Sequence, residues 1–180
     1  YDRIDIENKY DLVQNYLLNN TVDIDKKPIL WIHTKYEINS RKWKQFMSKN
    51  SRDLNQPYIE ECMESVLLYC SKSFKICLIN DESFKKLLPD CTIIMDKLAS
   101  PIRDNIRQLA LMKLLHKYGG MLIPNSTLVF KDLKDLYDKH VSKGCFVGEM
   151  RNTNDTANLT QFFPSHKFIG CVRENDKMKQ

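Results

Sequence analysis

The sequence lacks long apolar runs, arginine-rich runs and a recognisable secretory signal. No apolar stretch approaches the roughly 20 residues that a helix needs to span a bilayer, so we expect no membrane segment in this fragment. The net charge is +5, but lysines and acidic residues are mixed along the chain. This distribution gives only weak attraction to polyanions and argues against a dedicated nucleic-acid partner.

Paired cysteine motifs are also missing, because none of the 6 cysteines falls in a Cys-x-x-Cys pair. That absence argues against a zinc ribbon or a thioredoxin-like site. Cys62 and Cys70 lie about 12 Å apart along a predicted helix, too far to bridge each other. We therefore predict buried free thiols in a reducing compartment, and favour the cytoplasm over the secretory lumen. The start at Tyr1 and the abrupt polar end indicate a fragment of a longer protein.

Short apolar strands alternate with helical patterns from residue 26 onward, which is typical of an α/β domain. The patterns predict strands at 29–33, 74–79, 92–95, 121–123, 128–130 and 145–148. They predict helices at 10–19, 40–47, 57–70, 82–88, 102–118 and 131–140, and polar loops at 51–56 and 151–160. We expect a helical lead-in over 1–25 and one domain over 26–180, with a mainly parallel mixed sheet flanked by helices.

Polar residues follow two of the predicted strands. His33 and Thr34 end the first strand, and Asn80 and Asp81 follow the second. Parallel sheets of this class bind ligands at the carboxyl ends of their strands, so these side chains are candidate ligand contacts. Two structural alternatives stay open: Asp81 as the cap of the helix that follows it, and His33 as an ordinary strand-end histidine.

The longest helical pattern, 102–118, ends at Gly119 and Gly120. Gly119 is a natural left-handed stop and Gly120 permits a second tight step before the strand at 121–123. Apolar residues occur on more than one face of this helix, so we expect it to be buried centrally. Pro124, Asn125 and Ser126 follow the strand.

The succession of helix, Tyr118-Gly119-Gly120 turn and strand resembles the segment that precedes Asp-x-Asp in GT-A-fold glycosyltransferases. The closest types are the capsular-polysaccharide-synthesis and DxD-sugar mannosyltransferase groups, and the likeness runs from 28 to 170, including 61–65, 76–81 and 163–170. The resemblance implies a Rossmann-like domain, truncated at its C-terminus. Its expected activity is transfer of a sugar from a nucleotide sugar to a glycan or protein acceptor. The chain is also similar to a divergent branch found in large DNA viruses, which implies the host cytoplasm or a virion.

The chain departs from this family at the metal site. In the family, the two aspartates hold a divalent ion, Mn²⁺ or Mg²⁺, which neutralises the departing diphosphate. Pro124, Asn125 and Ser126 occupy the matching positions, and neither Pro124 nor Ser126 replaces a carboxylate. We therefore identify no metal ligands and no resident cofactor in this chain, and expect transfer either without the usual metal or with ligands that the sequence does not identify. Asn125 and Ser126 either hydrogen-bond the donor's diphosphate or sugar hydroxyls, or serve only as turn residues.

The family also carries an Asp and, three residues later, an Arg before the glycine pair. Ungapped counting puts Gln108 and Leu111 at these positions, whereas Asp104 and Arg107 have the right types four residues earlier. A shift of one turn keeps them on a similar helix face. The alternative is that Arg103, Arg107 and Lys113 are solvated helix positions rather than cations for a diphosphate. By resemblance, the donor-binding candidates are His33, Thr34, Asp81, Asp104, Arg107, Asn125 and Ser126.

The acceptor side is expected near the later part of the chain. Glu149 ends a predicted strand and is the candidate general base, with an ordinary surface glutamate as the alternative. His166 and Lys167 lie beside a Phe-Phe-Pro run and form either an acceptor-side edge or an ordinary loop. Two further function classes remain: a catalytically inactive relative for glycan binding or assembly, and a basic polyanion binder.

Overall fold

The computed structural model of the protein describes residues 27–34, 57–90, 94–149 and 164–178. Within these ranges the strands are β1 (Ile29–His33), β2 (Lys75–Ile79), β3 (Gly120–Pro124), β4 (Cys145–Glu149) and β5 (Pro164–Cys171). The helices are α1 (Pro57–Cys70), α2 (Ser83–Leu87), α3 (Ile102–Tyr118) and α4 (Lys134–Val141), with short 3-10 turns at Met95–Lys97 and Asp176–Met178.

The strands form one 5-stranded mixed sheet in the order β2-β1-β3-β5-β4. β1 pairs in parallel with both β2 and β3, while β5 lies antiparallel between β3 and β4. The carboxyl ends of β1 to β4 and the amino end of β5 therefore share one edge of the sheet, called here the carboxyl edge. The expected α/β class and mixed sheet are confirmed.

Helices cover both faces of this sheet, and side chains alternate between two cores. Trp31 and its same-face neighbours pack under α3, whereas Leu30 and Ile32 pack on the opposite face with side chains of α1 and α4. Strands buried on both faces read as continuous apolar runs, which is why 29–32 is uniformly hydrophobic. No helix in the described ranges is long and apolar enough to cross a membrane.

The turn after α3 has the conformation that the glycine pair predicts. Gly119 has a φ of 68° and Gly120 a φ of 101°, both in the region that favours glycine. A Cβ atom at Gly120 would lie 2.2 Å from the carbonyl oxygen of Ile29, so the close approach of β3 to β1 also requires glycine. The indole Nε1 of Trp31 donates to the Gly119 carbonyl at 2.9 Å. Trp31 is fully buried and therefore belongs to the core.

Several predicted elements are wrong or shifted. Residues 128–130 form no strand, because Leu128 and Phe130 are exposed and the Val129 amide donates instead to Ser65 Oγ of α1 at 3.0 Å. The helix predicted at 131–140 begins only at Lys134 and ends at Val141. Met95 opens a 3-10 turn rather than closing a strand.

The prediction that α3 is a centrally buried helix is also wrong. Its buried residues lie along one stripe, and Ile102 and Leu109 are exposed. The predictions for 1–25, 40–47, 51–56, 92–93 and 151–160 lie outside the described residues.

β5 is the main element that the sequence analysis did not predict. Val147 pairs with Ile169 and the next residue, Gly148, pairs with Ser165, so 166–168 bulge out of β5. The Phe168 ring lies over Gly148, where a Cβ atom would be 2.6 Å from its Cδ1. The Phe146 ring lies over Gly170 in the same way, and a Cβ atom at Gly170 would be 2.1 Å from its Cε1. Packing of these aromatic rings over glycines of the neighbouring strand therefore stabilises the pairing of β4 with β5.

The described cysteines are free thiols, as predicted, and four of the five are buried: Cys62, Cys70, Cys77 and Cys171, with Cys145 half-buried. Burial raises the pKa of Cys77 well above its ordinary value. Burial and the neighbouring Cys145 raise the pKa of Cys171 to about 11. Thiols with raised pKa values are poor nucleophiles, which favours a packing role for both.

Candidate functional site

A network of charged side chains lies at the carboxyl edge where β1, β2 and α3 meet. Its centre is Asp81, which follows β2 and has 20% of its side chain exposed. His33 at the end of β1 and Arg107 on α3 both bond to this carboxylate, and Asp104 joins through Arg107. Four of the residues predicted from strand ends and from the resemblance are therefore brought together, although Asp81 is 48 residues from His33 and 26 from Arg107.

Arg107 is the most buried member, with 3% of its surface exposed. Its Nε donates to Asp81 Oδ1 at 2.8 Å and its Nη2 to Asp81 Oδ2 at 2.6 Å, a bidentate pair. Its Nη1 donates to Asp104 Oδ1 at 2.7 Å, one turn earlier on α3. A buried guanidinium is tolerated only when it is paired in this way. The charge of Arg107 is thus neutralised by the protein itself.

His33 is fixed from two sides. Its Nε2 lies 2.9 Å from Asp81 Oδ1, and its ring stacks on Phe84 of α2 with centroids 5.6 Å apart and planes 7° apart. Burial by itself would raise the pKa of Asp81, but hydrogen bonds from Arg107 and His33 hold that pKa well below its usual range. Because an ionised carboxylate only accepts hydrogen bonds, the Nε2 of His33 carries the hydrogen and donates it.

The interpretation of Asp81 as a helix cap is wrong, since its carboxylate bonds to Arg107 and His33 instead. Asn80 and Ser83 form the reciprocal pair found in a capping box. The Ser83 amide donates to Asn80 Oδ1 at 2.9 Å, and the Asn80 amide donates to Ser83 Oγ at 3.1 Å. The spacing of three residues between Asn80 and Ser83 was the feature of the sequence that could have predicted this pair. Asn80, rather than Asp81, thus accepts the hydrogen bond of the first amide of α2, and the Asp81 carboxylate accepts from Arg107 of α3.

Thr34 is 2% exposed and bonds across the sheet. Its amide donates to the carbonyl of Ile79 at 2.9 Å and its hydroxyl to the same oxygen at 3.4 Å. The structure therefore uses both donor groups of Thr34 to hold β1 against the end of β2. The side chain presents little surface to a ligand.

Asn125 and Ser126 lie next to this network, at the end of β3. His33 pairs with Pro124, and the Thr127 amide donates to the Pro124 carbonyl at 3.2 Å to close a turn. Asn125 is half-buried and Ser126 exposed, and neither side chain bonds to another described residue. Chain connections diverge here, from β1 toward β2 and from β3 toward β4. Ligands of α/β sheets bind at such a divergence.

The acceptor-side candidates lie farther along the same edge. His166 and Lys167 are exposed members of the β5 bulge, and the Nε2 of His166 is 3.4 Å from the Nε2 of Gln108 on α3. Glu149 is exposed at the end of β4, opposite Pro164. Four strand spacings separate β4 from β2, about 19 Å, so Glu149 is remote from the Asp81 network. The Gln108 contact was missed because Gln108 was considered only as a replacement for an aspartate.

The network of His33, Asp81, Asp104 and Arg107 carries a net negative charge. Asp81 and Asp104 together oppose one Arg107, so the cluster carries about −1 when His33 is neutral. Arg103 also bonds to the protein, donating from Nε to the Leu98 carbonyl at 2.6 Å. Across the four described segments, no group of three or more His, Cys, Asp or Glu side chains is arranged to hold a metal ion.

No family model, curated protein or solved structure matches this chain. Its function is therefore inferred from the chemistry of the carboxyl edge and from the residues that resemble the glycosyltransferase segments. The network of His33, Asp81, Asp104 and Arg107 is the best-built polar cluster on that edge.

Proposed function

We propose that the chain is a Rossmann-like GT-A glycosyltransferase domain that binds a nucleotide sugar and transfers the sugar to a glycan or protein acceptor. One observation carries this proposal: His33, Asp81, Asp104 and Arg107 converge at the carboxyl ends of two parallel strands. Nucleotides bind at that edge in doubly wound sheets. The resemblance of 102–123 to a segment of glycosyltransferases is the reason for proposing sugar transfer as the reaction.

The donor would lie across the ends of β1 and β3. His33 ends β1, and Asn125 and Ser126 follow the adjacent end of β3. The side chains of Asn125 and Ser126 bond to no described residue. A ribose, a sugar or a diphosphate offers hydroxyls and oxygens that suit such groups. Pro124, Asn125 and Ser126 do not fit a divalent ion, because they supply no carboxylate. The proposed transfer therefore proceeds without the usual metal site or with ligands elsewhere in the protein.

The acceptor would approach from β5 and β4. Glu149 lies two strand spacings from β3, about 10 Å, which leaves room for a sugar between them. In the proposed reaction the Glu149 carboxylate takes the proton of an acceptor hydroxyl. The hydroxyl oxygen then bonds to the anomeric carbon, and the bond from that carbon to the nucleoside diphosphate breaks. General bases of this kind contribute about 10²- to 10⁴-fold in rate.

A second candidate function is a non-catalytic relative that binds a glycan or supports assembly. The observation that favours it is the neutralisation of Arg107 by Asp81 and Asp104, which leaves that guanidinium unsuited to stabilise a departing diphosphate. The same fold and edge would then bind sugars without breaking a bond.

A panel of UDP- and GDP-sugars, each with and without Mn²⁺, tests the proposal. Expected results are a rise in Tm with at least one nucleotide sugar and slow hydrolysis of that donor. Insensitivity of both effects to Mn²⁺ would support a metal-independent donor site, whereas dependence on Mn²⁺ would require metal ligands elsewhere in the protein. Stabilisation without hydrolysis or transfer would favour the non-catalytic candidate, and absence of both effects would reject the enzyme.

Glu149→Gln is the matching variant for the transfer step. It should lower the rate about 10²-fold or more while leaving donor binding intact. Glu64→Gln, an exposed position on α1, is the control and should change neither quantity. Equal rates for the wild type and Glu149→Gln would remove Glu149 from the reaction.

A further inference from the structure

The Asp81 network determines which nitrogen of His33 carries hydrogen. Arg107 donates two hydrogen bonds to Asp81, at 2.8 and 2.6 Å, and so keeps the carboxylate ionised and in place. That carboxylate can only accept, so His33 bonds to it as an Nε2–H donor over 2.9 Å. In a neutral imidazole the second nitrogen is then an acceptor.

The second nitrogen, Nδ1, has no hydrogen-bond partner among the residues that the structure describes. His33 is the last residue of β1, and its ring cannot turn easily because it stacks on Phe84 with planes 7° apart. The adjacent strand end carries Pro124 and then Asn125. The Nδ1 acceptor therefore belongs to the edge where a ligand is expected.

We propose that Arg107 and Asp81 are positioning residues that fix His33 so that its Nδ1 accepts a hydrogen bond from a hydroxyl or N–H group of the ligand. This assigns an uncharged part of the ligand to His33: a ribose or sugar hydroxyl, or an N–H group of a base. The inference rests on the proposed function for the identity of the ligand. The positioning of His33 is independent of that function.

A phosphate group fits this position poorly for two reasons. Phosphate oxygens are acceptors and would oppose the lone pair of Nδ1 rather than bond to it. The surrounding cluster also carries two carboxylates against one guanidinium, so a second anion is repelled. Arg107 thus acts on the ligand through Asp81 and His33, and not by direct contact with phosphate.

The first test reads the tautomer of His33 in the free protein. Long-range ¹H–¹⁵N spectra of protein labelled with ¹⁵N-histidine should show His33 protonated at Nε2 and bare at Nδ1 near neutral pH. Asp81→Asn should lose this fixed pattern while the backbone spectrum keeps its folded dispersion. An Nδ1–H tautomer or a doubly protonated ring in the wild type would overturn the proposal, as would an unchanged pattern in Asp81→Asn.

The second test compares two replacements of His33. The amide of a glutamine reaches the place of Nε2 and can still donate to Asp81, but it leaves no acceptor at Nδ1. The amide of an asparagine lies near the place of Nδ1 and loses the bond to Asp81. His33→Gln should weaken binding of the best UDP- or GDP-sugar about tenfold, and His33→Asn should weaken it less.

Free nucleosides and pyrophosphate separate the possible contacts. Uridine or guanosine, or the sugar nucleotide itself, should shift the His33 ring signals, whereas pyrophosphate alone should not. A shift by pyrophosphate, or equal binding by His33→Gln and the wild type, would overturn the assignment. If the wild type binds none of these probes, the proposed function and the ligand contact both fail. The tautomer spectrum would still decide the positioning of His33.

Discussion

The carboxyl edge has two halves that use their polar groups differently. At the ends of β1 and β2, His33 and Asp81 are bonded to each other and to Arg107, and Arg107 is 3% exposed. At the ends of β3 and β4, Asn125 is half-buried, Ser126 and Glu149 are exposed, and their side chains bond to no other described residue. Apart from His33 Nδ1, the polar groups of the first half are therefore bonded within the protein, whereas those of the second half are open to a ligand.

This difference separates stability from function along one edge of the sheet. A polar cluster that is buried and satisfied holds its members in one geometry, and removal of one member leaves the others unpaired. Polar groups without protein partners contribute little to folding, so their loss shows in binding or catalysis instead. Substitutions of Asp81, Asp104 and Arg107 should consequently act mainly on stability, and substitutions in the second half mainly on ligand binding, whereas His33 contributes to both.

The largest effect is expected for Arg107→Met. The change leaves two half-buried carboxylates, Asp81 and Asp104, without their shared cation, which should lower the free energy of unfolding by about 3 kcal/mol. Urea unfolding at pH 7 measures the loss. Lys113→Met is the matched control, because it removes a positive charge at an exposed position of the same helix. The control should stay within about 0.5 kcal/mol of the wild type. If the free energy of unfolding fell by less than 1 kcal/mol in Arg107→Met, the network around Arg107 would not be the stabilising cluster described above.

Asp81→Asn should have the next largest effect, about 2 kcal/mol at pH 7, since charge-assisted hydrogen bonds are replaced by neutral ones. The folded-state pKa of Asp81 is lowered, so its contribution is fully present above the unfolded pKa of about 3.9. It is lost as the pH falls from there toward the lower folded-state pKa. Denaturant unfolding between pH 3 and 7 should show a shallower acid dependence in the variant.

Asp90→Asn provides the control for this pH dependence, because Asp90 is exposed. It should stay within about 0.5 kcal/mol of the wild type and keep the full acid dependence. If Asp81→Asn and Asp90→Asn showed the same slope, Asp81 would not be the group that titrates with folding.

Local sequence patterns predicted the parts of the fold that depend on neighbours in the chain. The bounds of β1 follow from an apolar run, and those of α3 from the glycine pair that ends it. Strand-end positions identified His33 and Asp81 as candidates because parallel strands end at one edge. Asp104 and Arg107 came from the family resemblance, although their four-residue offset from it was unexplained.

Long-range geometry explains what the sequence could not predict. The bond from Arg107 to Asp81 depends on where α3 crosses the end of β2, which no local pattern specifies. β5 was missed because its burial does not alternate regularly and its pairing with β4 contains a bulge at 166–168. The same crossing of α3 over the end of β2 brings Arg107 to Asp81 and so neutralises its charge.

Gln108→Ala tests the contact that joins α3 to the open half of the edge. The Gln108 and His166 side chains are exposed and their nitrogens are 3.4 Å apart, so the pair should contribute only about 0.5 kcal/mol. A double-mutant cycle with His166→Ala measures the coupling directly. A coupling above 1 kcal/mol would show that the β5 bulge is held by α3 and belongs to the bonded half.

The smallest effect on stability is expected for the double variant Asn125→Ala, Ser126→Ala. Neither side chain bonds to another residue in the described segments, so the free energy of unfolding should change by about 0.5 kcal/mol or less. The rise in Tm caused by the best nucleotide sugar should instead disappear or fall by more than half. This result distinguishes the two roles left open for these residues. If they are turn residues, their replacement lowers stability in the absence of ligand. If they are ligand contacts, it lowers only the stabilisation by the ligand. A drop in stability with unchanged ligand stabilisation would make them turn residues and move the donor contact away from the end of β3.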